Sequence, residues 1–136
     1  MQNKTITLVT GLWDIGRGEM DTSFKRSYEH YLECFEKLLK VDVNLIVFGD
    51  SFLENFVNER RDSKIQFIYR ELDWFKNEFY DTIQEIRQDE DWYNQAGWLK
   101  DSTQGKLKWY NPIVMSKMML LHDAKILDSF ESDYMY

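Results

Sequence analysis

The sequence predicts an α/β fold: three layers, with a mostly parallel sheet flanked by helices in the Rossmann-like manner. Three observations predict it. Short apolar runs rich in β-branched residues alternate with amphipathic stretches of helical period. The 136-residue length suits one hydrophobic core, so residues 1–136 are read as a single α/β domain. A composition of 43% hydrophobic and 30% charged residues is that of a globular chain and excludes disorder.

The elements follow in order. Residues 5–13 (Thr-Ile-Thr-Leu-Val-Thr-Gly-Leu-Trp) fit a buried strand. A loop of glycines, charges and turn formers spans 14–21. From Phe24 the apolar positions Tyr28, Tyr31, Phe35, Leu38 and Leu39 form one helical stripe, with Thr22 or Ser23 available to cap it. Residues 43–48 are a second strand, closed by Gly49-Asp50. Ser51 and Glu54 have capping-box spacing for a helix over 52–60. Residues 65–69 form a third strand. Leu72, Phe75, Phe79, Ile83 and Ile86 then predict one long amphipathic helix.

Residues 88–108 are polar and irregular, and with Trp109 they carry Trp92, Tyr93 and Trp98. These aromatics either mark a ligand or partner surface or pack a helix extension onto the domain. A last helix is expected with Asn111 as its cap and Pro112 in its first turn. It carries Val114, Met115, Met118, Met119, Leu121 and His122. Being apolar nearly all round, it is expected to lie buried between layers. Its methionines fit core filling rather than metal binding. A final strand begins at 133–136. An α/β domain of this kind normally runs on from such a strand into the loop that carries its chemistry. The chain is therefore expected to be the N-terminal part of a longer protein.

The bulk numbers exclude several classes. A net charge of −7 disfavours a general nucleic-acid binder, yet a local group of N–H donors and one or two basic side chains can still hold a small anion. The one cysteine, Cys34, cannot form an internal disulfide and is expected to be a small buried hydrophobe. The two histidines, His30 and His122, have no zinc-site spacing with it. The polar start Met1-Gln2-Asn3-Lys4 is unlike a signal peptide, and no apolar run approaches the roughly 20 residues of a membrane helix. A cytoplasmic protein is expected, with room for peripheral contact at the inner membrane.

Three motifs can carry chemistry. In Trp13-Asp14-Ile15-Gly16-Arg17-Gly18-Glu19-Met20, glycines allow close backbone approach and Arg17 offers a fork of donors to a phosphate. The structural alternative is a glycine turn with a surface arginine. An S-adenosylmethionine-dependent methyltransferase would use a similar loop. However, Met20 stands where its third glycine belongs, and Asp50 comes later than the roughly 20 residues at which a ribose-binding acid follows. In Trp109-Tyr110-Asn111-Pro112-Ile113-Val114-Met115-Ser116-Lys117, a helix start supplies free N–H groups, and Lys117 places an ammonium group in an otherwise apolar stretch. Such a lysine either meets an anion, such as a ligand phosphate, or snorkels to water. In Phe48-Gly49-Asp50, Asp50 either accepts from a ribose or base or only caps a helix.

Thr10-Gly11-Leu12-Trp13-Asp14-Ile15-Gly16-Arg17-Gly18, taken with Tyr110-Asn111-Pro112-Ile113-Val114-Met115-Ser116-Lys117-Met118-Met119-Leu120-Leu121, resembles the HtrL/YibB family of bacterial proteins over almost the whole chain. The resemblance implies a GT-A-type glycosyltransferase associated with lipopolysaccharide or other surface-polysaccharide synthesis. It implies a nucleoside diphosphate sugar as donor, a glycan or lipid-linked acceptor, and Mn²⁺ or Mg²⁺. The nucleotide sugar would be held by Thr10, Gly11, Asp14, Gly16, Arg17, Gly18, Asp50, Asn111 and Lys117. In relatives the last strand runs into a Trp-Ile-Asp-like acidic segment. This sequence stops at Tyr136, just before it, so the metal ligands and the activity are expected of a longer chain. The alternative is a truncated, non-catalytic module that binds a partner through its tryptophan-rich segment.

Overall fold

The computed structural model describes residues 3–136; Met1 and Gln2, at the head of the segment read against a signal peptide, lie outside it. In chain order the regular elements are β1 (Ile6–Leu12), α1 (Tyr28–Leu39), β2 (Asn44–Gly49), α2 (Ser51–Asn58), β3 (Ile65–Tyr69), α3 (Tyr80–Gln88), α4 (Glu90–Tyr93), α5 (Thr103–Lys106), α6 (Tyr110–Met115), α7 (Lys117–Leu127) and β4 (Tyr134–Met135). Single 3-10 turns stand at Arg17–Glu19, Leu72–Phe75 and Leu99–Asp101. The fold is α/β, with a four-stranded, all-parallel sheet in the order β3-β2-β1-β4 flanked by helices. Two compact units make up the chain. One comprises the stretch ending at Trp13, Phe35–Glu71 and Lys117–Tyr136; the other comprises Asp14–Cys34 and Leu72–Ser116.

The first unit holds the sheet. β2 has a strand on each side, and Leu45, Ile46, Val47 and Phe48 are all at most 1% exposed, which is why this stretch is continuously apolar. β1 pairs with it from Thr7↔Asn44 to Leu12↔Gly49. The chain steps from β1 to β2 to β3 in one direction and returns to β4 in the other. Because such crossovers are right-handed, the steps out and the step back cover opposite faces, giving three layers. Arg61 ties the strand starts together, donating to the carbonyls of Leu39, Val41, Val43, Ser63 and Lys64. β4 is anchored by a buried hydroxyl pair, Thr7 Oγ1 to Ser132 Oγ at 2.5 Å, and by Asp133 accepting from Thr5 N at 2.8 Å. Asp128 braces the turn ahead of it by accepting from Phe130 N at 2.9 Å and Ser132 N at 2.8 Å.

The second unit is built from short helical pieces, and here several expectations are corrected. The long helix expected from Leu72 is a 3-10 turn followed by α3, with a break at Asn77, whose side chain accepts from Phe79 N at 3.0 Å and so bends the backbone out of helix. The helix expected from Phe24 starts at Tyr28, where Ser27 Oγ accepts from His30 N at 3.1 Å; Thr22 instead donates to Asp101 O. Cys34 is exposed rather than buried, with its thiol 4.0 Å from His30 Nε2, because the buried stripe of α1 falls on Phe35 and Leu39.

The last expected helix is two. Ser116 Oγ donates back to Pro112 O at 2.7 Å and Ser116 N is shared between the Pro112 and Ile113 carbonyls, so α6 ends and α7 begins at Lys117. α6 is capped by Trp109, not Asn111. Nor is this segment buried all round: only Pro112, Ser116, Leu120 and Ala124 are fully covered, while Met115 and Met118 are 64% and 73% exposed. In the first unit the cap of α2 is Asp50, one residue ahead of the expected Ser51.

Candidate functional site

Leaving β1 after Trp13, the chain makes a tight loop. Asp14 Oδ1 accepts from Gly16 N at 3.1 Å, an Asx turn that points the backbone into the next element. Gly16 stands at φ 85°, a conformation that favours glycine, and opens the 3-10 turn Arg17–Glu19. Arg17 locks the loop from behind: its Nε donates to Phe24 O at 2.8 Å and its Nη1 to Tyr31 Oη at 2.5 Å. The glycines serve packing as much as approach. A Cβ on Gly11 would sit 2.7 Å from the Trp13 ring, and one on Gly18 would meet Ser27 Cα at 3.3 Å.

Within this unit the loop walls a cavity of about 710 Å³. It is lined by Asp14, Ile15, Gly16, Glu19, Met20 and Asp21 from this loop, by Lys106, Leu107, Lys108 and Trp109, and by Leu72. That volume is in the range of small-molecule sites, roughly 300–1,000 Å³. The wall around Lys106 is held by a short chain of bonds. Ser102 caps α5 by accepting from Gly105 N at 3.2 Å, and Arg87 donates to Gln104 O at 3.1 Å and Gly105 O at 2.8 Å. Asn111 Nδ2 donates to Gln104 O at 3.1 Å. Burial pushes the Arg87 guanidinium below its usual range; carbonyl oxygens, not a carboxylate, surround it. Trp109 is buried, with Tyr80 at 5.3 Å and the Lys108 ammonium 5.4 Å from its ring centre. Among the described residues neither Lys106 nor Lys108 makes an ion pair, so both ammonium groups are available to an anion.

The residues expected to bind a nucleotide sugar divide accordingly. Asp14 and Gly16 line the cavity. Arg17, Gly18 and Asn111 belong to the same unit but not to the cavity wall; Arg17 and Asn111 spend donors on main-chain carbonyls. Thr10 and Gly11 lie within β1 opposite Val47 and Phe48. Asp50 caps α2, its Oδ1 accepting from Leu53 N at 3.0 Å. Lys117 is exposed at the start of α7, which fits the alternative of a lysine that reaches water. Sequence reasoning missed Lys106, Lys108, Glu19 and Asp21. The legible signal was Lys106-Leu107-Lys108-Trp109, two cations flanking an apolar residue beside an aromatic, just ahead of a motif already singled out.

Three acidic side chains line the cavity, but among the described residues no three His, Cys, Asp or Glu side chains gather closely enough to hold a metal ion. The residues present thus do not fit a Mn²⁺ or Mg²⁺ cage. Among the described residues, no helix is long and apolar enough to cross a membrane. No curated protein and no solved structure matches the chain. A family model described as a bacterial protein of unknown function (HtrL_YibB) matches residues 4–136, and the chain belongs to that family.

Proposed function

We propose that this chain is the nucleotide-sugar-binding part of a glycosyltransferase that acts in bacterial surface-polysaccharide synthesis. The observation that carries the reading is the cavity lined by the loop that follows β1 together with Lys106 and Lys108. In parallel α/β sheets the loops after the strands are where ligands bind. Breaking a sugar–phosphate bond leaves negative charge on a diphosphate, and the Lys106 and Lys108 ammonium groups, neither in an ion pair among the described residues, would stabilise it. Asp14, Glu19 and Asp21, which line the same cavity, offer carboxylate acceptors to ribose or sugar hydroxyls. Lys106 and Lys108 here take the role that the sequence alone assigned to Arg17 and Lys117.

The test is calorimetry of the folded chain against UDP-, GDP-, CMP- and dTDP-sugars, with Mn²⁺ or Mg²⁺ present, and against S-adenosylmethionine. At least one nucleotide sugar is expected to bind. Lys106→Met with Lys108→Met should weaken it by about 1.5–3 kcal/mol per lost charged hydrogen bond, whereas Lys117→Met should leave it unchanged. Binding of S-adenosylmethionine alone, or of no ligand at all, overturns the proposal.

A further inference from the structure

A second, smaller cleft lies in the same unit, about 460 Å³ in volume, lined by Asp21, Thr22, Ser23, Phe24, Trp98, Asp101 and Lys106. Its walls are polar except for two aromatics, and one of these, Trp98, is 56% exposed. Large aromatic side chains normally gain by burial, so an indole left in the wall of a polar cleft is a surface with nothing stacked on it. Around it stand two carboxylates, two hydroxyls and one ammonium group. Thr22 Oγ1 donates to Asp101 O at 3.0 Å, joining the 21–24 segment to the turn that carries Trp98, and Phe24 N donates back to Thr22 Oγ1 at 3.4 Å. Trp98 itself begins the 3-10 turn Leu99–Asp101, which fixes the main chain beneath the ring.

This combination selects a ligand class. A pyranose has an apolar C–H face that stacks on an indole and an equatorial rim of hydroxyls that both donate and accept. Carboxylates accept from hydroxyls, an ammonium group donates to them, and Ser and Thr do either. An aliphatic chain would offer these polar groups no partner, and an anion would be repelled by the two carboxylates. The geometry points to this cleft as a saccharide subsite with Trp98 as its stacking platform. Asp21 and Lys106 line both this cleft and the larger cavity, which places a saccharide here beside the proposed donor site and makes it the acceptor. The assignment to the acceptor rests on the glycosyltransferase reading; the assignment to a saccharide does not.

Saturation-transfer NMR of the folded chain with the methyl glycosides of glucose, galactose, mannose, rhamnose and N-acetylglucosamine tests it, alongside the nucleotide-sugar titration. At least one glycoside should receive transfer. Trp98→Ala should lower its affinity about tenfold, the loss of one aromatic stacking contact, and Trp98→Phe should restore most of it. Neither variant should change nucleotide-sugar affinity or melting temperature, since Trp98 contributes to no core. No transfer to any glycoside, or transfer indifferent to Trp98→Ala, overturns the inference. If glycosides bind at Trp98 while no nucleotide sugar binds, the saccharide site stands and the glycosyltransferase reading falls; the reverse result sinks the saccharide site alone.

Discussion

The two units satisfy their backbone polar groups by different means. In the sheet-bearing unit the parallel ladders of β1, β2 and β3 pair most of the main chain with itself, and side chains intervene mainly at strand and helix ends, as Arg61, Asp50 and Asp128 do. In the other unit helices are only a turn or two long, so side chains do much of this work: Arg17 on Phe24 O, Thr22 on Asp101 O, Arg87 on Gln104 O and Gly105 O, Asn111 on Gln104 O. A ladder leaves little free surface between its strands. A scaffold of side chain–carbonyl bonds leaves gaps, and both clefts described above are gaps of that kind. The difference teaches that the sheet and the clefts belong to separate stretches of the chain.

The largest effect that probes this contrast is expected from Phe48→Ala. Phe48 is 1% exposed at the centre of the sheet, so its truncation should cost about 3–5 kcal/mol. Urea denaturation followed by circular dichroism measures it, and a loss below about 1 kcal/mol would mean that the sheet is not the stable element. A smaller effect is expected from Arg87→Met, about 1.5–3 kcal/mol for removing charged hydrogen bonds to two carbonyls. Amide hydrogen exchange should show this loss in the 99–107 segment while β2 amides stay protected. Equal loss of protection in both places would show one cooperative block in place of two units.

The smallest effect concerns acid. Burial raises the Asp128 carboxyl, but the bonds it accepts from Ser132 N, Phe130 N and the Ser132 side chain outweigh this, and Lys125 helps, so its net pKa is lowered from 3.8. A carboxylate with a depressed folded-state pKa stabilises the fold above its unfolded value. That contribution disappears as pH falls below 3.8 towards the folded value. A thermal melt series across that window should show the sheet-bearing unit losing stability, and Asp128→Asn should flatten part of the fall. An unchanged slope in that variant would remove Asp128 as the cause.

β2 was legible because burial on both faces writes itself as an unbroken apolar run, and the less buried β1 and β3 because they are rich in β-branched and aromatic residues. Residues 5–13, 43–48 and 65–69 were expected, and Ile6–Leu12, Asn44–Gly49 and Ile65–Tyr69 form. Helical periodicity was less trustworthy. Leu72, Phe75, Phe79, Ile83 and Ile86 keep helical spacing, yet one asparagine side chain diverts the backbone between them. The loop after β1 was found as a candidate, since Asp14 and Gly16 do line a cavity. The lysines that line it too were not, because they lie about 90 residues further along and nothing local links Gly16 to Lys106. Lys117 misled for a related reason: its neighbours are apolar in sequence, but Met115 and Met118 are exposed in space.

The interleaving of the two units bears on the order in which the molecule can assemble. The chain leaves the sheet-bearing unit after Trp13, returns at Phe35, leaves again after Glu71 and returns at Lys117. As the chain emerges from a ribosome, every residue of the cleft-bearing unit is out once Ser116 has left the exit tunnel. The sheet, by contrast, still lacks the strand that pairs Ile6 with Tyr134 and the contact that joins Thr5 to Asp133. That closure spans 128 residues and comes last, and non-local pairings of this length are slow to form. The cleft-bearing half can therefore take shape while the first edge of β1 waits, unpaired, for its final neighbour.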